Sequence, residues 1–204
     1  MKTLYFDCSS GISGNMTLGA LLEIVGDDNY LLEELKKLNV DGYKIEISNK
    51  VKNGITGKYV DVILNENEEE HTHEHNHICE HEAEMHNDVH EDMHHHHHHH
   101  SHRNLNDVNE IIDKSSIGQK SKDLAKRIFL RVAKAESKVH NKPLEEVHFH
   151  EVGAIDSIVD IVGTAILINK INPDRIISSI VNDGYGFIEC AHGTMAVPVP
   201  ATSE

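Results

Sequence analysis

Three cysteines, Cys8, Cys79 and Cys190, are all that the 204 residues contain, with no CxxC pair and no even framework of spacings. That excludes a disulfide scaffold and points to a reducing compartment. Long apolar runs are also missing. The longest, around Ile161 to Ile168, is far short of a bilayer's thickness and follows Asp160, so no membrane span is expected. The start, Met1-Lys2-Thr3-Leu4-Tyr5-Phe6-Asp7, is too short and too soon charged for a secretory signal. A cytoplasmic location is the expectation.

Basic residues are absent from one stretch altogether. Between Asn65 and His102 there is no Lys or Arg, while 15 of the 19 histidines and 11 acidic residues fall there. The formal charge of −15 is therefore local, since outside this tract it drops to −4. Neither a nucleic-acid partner nor a strongly acidic surface follows from it. The tract cannot bury apolar surface and reads as a disordered excursion. Its histidines, with His94, His96 and His98 in the run His94 to His100, suit a reservoir for borderline metals that loosens as imidazoles protonate near pH ~6.5.

What remains reads as one α/β domain interrupted by an insert, with α+β as the alternative: a small mixed sheet flanked by helices. Its parts are residues 1–64, the insert 65–103, and residues 104–204. Thr3 to Phe6 suggests a buried strand ending on Asp7-Cys8-Ser9-Ser10-Gly11-Ile12-Ser13-Gly14-Asn15-Met16, with a helix from about Met16 to Val25. A strand, a small-residue loop and a helix start can hold a phosphate on free N–H groups, here at Ser10, Gly11, Ser13 and Gly14; a plain tight turn is the other reading. The loop lacks a P-loop lysine. A helix over Tyr30 to Leu38 follows, then strands Lys44–Ser48 and Lys58–Leu64 around a turn at Asn53-Gly54 and Gly57.

Beyond the tract, Asn106 is the expected cap of a helix through Asp113. Ser121 to His140 should be amphipathic, with Leu124, Ile128, Val132, Ala135 and Val139 on its apolar face. The densest chemistry comes next, in His148-Phe149-His150-Glu151-Val152-Gly153-Ala154-Ile155-Asp156-Ser157-Ile158-Val159-Asp160. If Val147 to His150 is extended, His148 and His150 share a face. Glu151 follows, Gly153 permits a turn, and Asp156 and Asp160 lie four apart on a helix reaching about Ile171. Two imidazoles and up to three carboxylates at one corner suit a divalent metal, while backbone-satisfied histidines and an acid at a helix start are the plainer alternative. Arg175 to Val181 reads as a buried strand. Phe187 to Gly193 reads as extended, so that Cys190 and His192 share a face as soft-to-borderline ligands or as a packed thiol beside a bonded imidazole. Val197-Pro198-Val199-Pro200 to Glu204 reads as an extended lead into something further.

Several of these motifs, in order, resemble those of nickel-insertion proteins of nickel-pincer cofactor biosynthesis, the LarC family. They are Leu4-Tyr5-Phe6-Asp7-Cys8 with Ser10-Gly11-Ile12-Ser13-Gly14, Asn53-Gly54-Ile55-Thr56-Gly57, the His-rich insert, the corner from Val147 to Asp160, and Cys190-Ala191-His192-Gly193-Thr194-Met195. The resemblance implies a nickel chelatase of the lyase class. It would insert Ni(II) into pyridinium-3,5-bisthiocarboxylic acid mononucleotide, making two Ni–S bonds and one Ni–C bond while CTP, with Mg or Mn, is hydrolysed to CMP and diphosphate. Lactate racemase-type apo-enzymes would receive the product. Asp7, Glu151, Asp156 and Asp160 are then the candidate catalytic carboxylates, with Glu151 or Asp156 as base. His148, His150, Cys190 and His192, together with the tract, are the candidate metal donors. The family's Gly-Asp-Met is Gly14-Asn15-Met16 here, and its C-terminal domain, associated with CTP, is missing from these 204 residues. Two other functions are consistent with the residues: nickel storage or delivery through the tract, and a metal-dependent hydrolase at the histidine corner.

Overall fold

A computed structural model describes residues 1–65, 103–149, 152–190 and 193–204. The tract histidines His94, His96 and His98, and the site candidates His150, Glu151 and His192, lie outside the described residues.

The expected mixed α/β class is what the structure has, with its strands divided among three two-stranded pairs. Strand β1 (Thr3–Phe6) pairs in parallel with β4 (Arg175–Ser178), Leu4 opposite Ile176. The expectation of a buried strand from Arg175 to Val181 is corrected: β4 is shorter and mostly exposed, because its only described partner is β1. Strands β2 (Tyr43–Lys52) and β3 (Ile55–Leu64) form a hairpin longer than the sequence suggests. Its turn is Asn53-Gly54, both at positive φ (52° and 79°), the two-residue geometry that matches strand twist. Gly57 belongs to the strand rather than the turn.

Helix α1 (Gly14–Val25) starts two residues earlier than expected, capped by the Ser13 hydroxyl, which accepts from Met16 N–H at 3.2 Å. It ends on Gly26 at φ 70°, and α2 (Asp28–Lys36) begins on the Asp27 cap. Helix α3 (Leu105–Lys114) is capped not by Asn106 but by Asn104, in a reciprocal box with Asp107. Helices α4 (Gln119–His140) and α5 (Ile155–Ile171) follow; the seven fully covered residues of α5, Ile158 and Leu167 among them, make it the centre of the molecule. Both α4 and α5 stop on an asparagine at positive φ, Asn141 and Asn172.

The core is mostly aliphatic, with Leu18, Leu21, Leu22, Leu31, Leu35 and Ile166 in one cluster with Phe129 and Phe149. Gly19 lets α1 lie directly on β3. A Cβ there would sit 2.5 Å from the Lys58 carbonyl oxygen, which is backbone and cannot rotate away. We expect Gly19→Ala to lower stability by about 1–3 kcal/mol despite its better helix propensity, since overpacking outweighs a gain of at most ~1 kcal/mol. Chemical denaturation checks this; a midpoint unchanged or raised would mean that α1 and β3 do not pack this closely.

The face of α4 turned to the core carries Ser121, Ala125, Phe129 and Ala133. Of the apolar face read from sequence, Leu124 and Val132 pack half-buried against this core, while Ile128 borders one cavity and Val132, Ala135 and Val139 another. At the end of the chain the hairpin of β5 (Gly186–Cys190) and β6 (Gly193–Val197) replaces the single extended run expected over Phe187 to Gly193. After a cis Val197–Pro198 bond, a short helix α6 (Pro200–Ser203) replaces the extended tail.

Candidate functional site

Two cavities are lined by four of the described site candidates, Ser13, Gly14 and Asp160 in one and Cys190 in the other. The first, about 430 Å³, lies where β1 and β4 end and α1 begins, the edge at which parallel strands commonly present ligands. Its wall includes Phe6, Cys8, Ser13, Gly14, Thr17 and Asp160. The loop after β1 is tied down there. Gly11 N–H and Asn182 N–H both donate to the Cys8 carbonyl, each at 3.1 Å, and Cys8 N–H donates to Ser179 Oγ at 2.8 Å. Gly11 takes φ 87°, which a side chain would strain.

Asp160 dominates this cavity. It projects from the second turn of α5 onto the start of α1, so close that a Cβ on Gly14 would lie 1.9 Å from its Oδ2. Only glycine leaves room for that carboxyl. Its Oδ1 is buried with no hydrogen-bond partner among the described residues. Burial, then the nearby charges of Asp156 and Asp61, push its pKa up to about 7. Asp156 lies in the first turn of α5, its Oδ1 accepting from Ser157 N–H at 2.7 Å. Asn15 Nδ2 donates to Asp61 Oδ1 at 3.3 Å. An aspartate at position 15 would instead add a like charge beside Asp61. Asp7, by contrast, is exposed, and hydrogen bonds from Ser9 hold it below the usual carboxylate range. Ser10 is exposed on the same loop.

The second cavity is a cleft of about 660 Å³ between α4, the β5–β6 hairpin and α6. Cys190, Val152, Arg131, Glu136 and His140 line it. His140 Nε2 and Glu136 Oε2, one helical turn apart, are 3.2 Å from each other. Val152, next after His150-Glu151 in sequence, and Cys190, just before Ala191-His192, both line this cleft. Sequence reading missed Glu136 and His140; their i, i+4 spacing was the available signal.

The corner between the cavities is held by packing, not by a regular strand. Val147 to Phe149 makes one isolated bridge, His148 opposite Asn104, in place of the extended strand expected through His150. His148 is exposed and its Nδ1 lies 3.2 Å from the Glu146 carbonyl. Phe149 points the other way, into the core, its ring 6.0 Å from that of Phe129. Arg103 closes the corner: its carbonyl accepts from Phe149 N–H at 2.9 Å and its Nη1 donates to the Gly153 carbonyl at 2.8 Å. Cys8 and Cys190 thus line different cavities. Among the described residues no group of three or more His, Cys, Asp or Glu is gathered closely enough to hold a metal ion. No helix among them is long and apolar enough to cross a membrane.

Comparison with known proteins decides the family. The profile described as "Nickel insertion protein" matches residues 4–204. The chain belongs to the nickel insertion protein family. Curated members named pyridinium-3,5-bisthiocarboxylic acid mononucleotide nickel insertion protein share 54% identity over 206 residues in Clostridium acetobutylicum and 49% over 204 residues in Acetivibrio thermocellus. The one from Clostridium kluyveri shares 49% over 208 residues. Each match covers all of this chain but only 49%, 44% and 46% of the respective relative, so the chain spans about half the length of the curated nickel insertion proteins it matches. No solved structure matches it.

Proposed function

We propose that this chain is the part of a nickel chelatase that receives Ni(II) and pyridinium-3,5-bisthiocarboxylic acid mononucleotide and joins them into the nickel-pincer cofactor. The observation that carries the reading is Asp160, a carboxyl facing a cavity at the loop-to-helix corner with a pKa near neutrality. Insertion must remove a ring proton: the C–H bond breaks, its electron pair becomes the Ni–C bond, and the proton needs an acceptor. A carboxyl titrating near pH 7 is well matched to accept it and later release it to water. Asp160 therefore takes the role of base, in preference to Asp156, whose oxygen is already engaged by its own helix. The loop from Ser10 to Gly14 and the start of α1 offer N–H groups to the mononucleotide phosphate. Cys190, in the second cleft, supplies a soft donor that captures arriving nickel, with His148, His150, Glu151 and His192 as further donors and Asp7 as a further carboxylate.

CTP with Mg or Mn, the lyase class, the second half found in relatives, lactate racemase-type recipients and a cytoplasmic location are parts of the same proposal. The test is incubation of the chain with Ni(II), CTP, the thiolated precursor and a polypeptide carrying that second half. Appearance of the pincer chromophore is the expected result; none at any nickel concentration would sink the reading. The rival reading, nickel storage, draws on the 15 histidines between positions 65 and 102. Deleting residues 66–102 separates the two. Insertion predicts pincer formation surviving at saturating nickel while bound nickel falls severalfold; loss of both would favour storage or delivery.

A further inference from the structure

The cleft between α4 and the β5–β6 hairpin sets one polar couple among apolar walls. Val132 and Val139 of α4 and Ile188 and Met195 of the hairpin line it, and with them Glu136 and His140. The two polar residues stand one helical turn apart, so their side chains reach out on the same side of α4. Both are mostly covered, Glu136 17% and His140 25% exposed. Walls of low polarity strengthen the attraction between a carboxylate and any cation that enters.

His140 Nε2 and Glu136 Oε2 are 3.2 Å apart. Two donors held on one ion by bonds of about 2.1 Å, at a right angle, are about 3 Å apart. The couple is therefore already spaced as adjacent corners of a coordination shell, and an ion can settle there without unwinding the helix. Imidazole suits nickel, copper and zinc, while the carboxylate offsets the ion's charge. The imidazole binds in its neutral form, so a proton held between the two groups goes to water. Cys190, a free thiol at the end of β5, lines the same cleft, its Sγ 3.3 Å from the Gly193 carbonyl. Among the described residues no three such donors are gathered into one shell. The couple is thus a separate station completed by water, and the thiol is a softer one beyond it.

We propose that Glu136 and His140 form a two-donor site for a borderline divalent ion, here Ni(II), which passes from it to Cys190. This site rests on the reading of the cleft as the place where nickel arrives, and adds the step before the thiol. An ion held by two protein donors keeps most of its water and leaves more readily than one in a closed shell, as a transfer step requires. A plain intrahelical ion pair, the other use of this spacing, would take up no metal.

The test titrates the whole 204-residue chain with Ni(II) alone and follows its amide signals by NMR, because paramagnetic nickel erases signals close to it and α4 is resolved from the histidines of positions 65–102. Saturable loss of the Glu136 to His140 signals is expected, while those of α1 and α2 remain and report an intact fold. His140→Gln keeps a hydrogen-bonding side chain beside Glu136 but no imidazole; it should shift the α4 loss to at least ~10-fold more nickel, as should Glu136→Gln. Cys190→Ser should leave the α4 loss in place and weaken the thiolate-to-nickel absorption of the wild type. Three results would overturn the proposal: α4 signals that persist in the wild type at saturating nickel, loss that is unchanged in both Gln variants, or loss that disappears with Cys190→Ser. Neither precursor nor CTP is present, so failure of this site leaves insertion to its own test, and failure of insertion leaves this titration unchanged.

Discussion

Replacing Asp160 with Asn is expected to make the protein more stable and less active at once. The wild-type carboxyl, with its pKa raised from 3.8 to about 7, holds its proton in the folded state over a range in which the unfolded chain has lost it. Between those two values the folded state binds more protons, so stability falls as pH rises. The contribution is full below about pH 4, declines across the window, and is gone above about 7. Asparagine carries no charge to bury and leaves the Gly14 contact in place, so the variant should show a higher unfolding midpoint at pH 8 and a flatter profile from pH 4 to 8. If Asp160 is the base, insertion should fall by about 10²–10⁴-fold, and the wild-type rate should rise with pH through about 7. Higher stability with unimpaired insertion would remove Asp160 from the chemistry while keeping its burial. Unchanged stability would mean that the carboxyl is not desolvated as described.

The largest loss of stability is expected at Phe149→Ala. The ring is 2% exposed and lies 6.0 Å from Phe129, at 53° between planes. Removing it leaves a cavity where α4 meets the corner, a change that costs about 3–5 kcal/mol in comparable cores. It also frees the backbone that places His148 on one side and enters α5 on the other, because Phe149 N–H and the Gly153 carbonyl are both bonded to Arg103. Urea denaturation gives the energetic part. Nickel binding by the variant, compared with that of a core variant remote from the corner such as Leu22→Ala, gives the positional part. Equal losses of nickel in the two variants would reduce Phe149 to a packing residue.

The carboxylates show where reading the sequence reaches its end. Asp156 and Asp160 stand on one helical face by spacing alone, and nothing local separates their roles. What separates them is Gly14, from the far end of the chain, which leaves space for one carboxyl and not the other. The α4 stripe illustrates the same difficulty. Val132, Ala135 and Val139 have core-like spacing and border a cavity, but the fully buried face is Ser121, Ala125, Phe129 and Ala133. The Phe187 to Gly193 run belongs to a hairpin rather than to one strand, because alternation signals strand without saying where the strand turns back.

Family, class and the order of most elements were written in the chain itself. Apolar periodicity, the Asn53-Gly54 turn and the stop signals at Gly26 and before Pro143 act between near neighbours, and near neighbours are what a linear sequence displays. Long-range contact alone determined that β4 lies beside β1, that Asp160 presses on Gly14, and that Val152 and Cys190 border one cleft. Desolvation and charge repulsion depend on distance in space, and the partners that set them here are brought together only when the helices pack around α5.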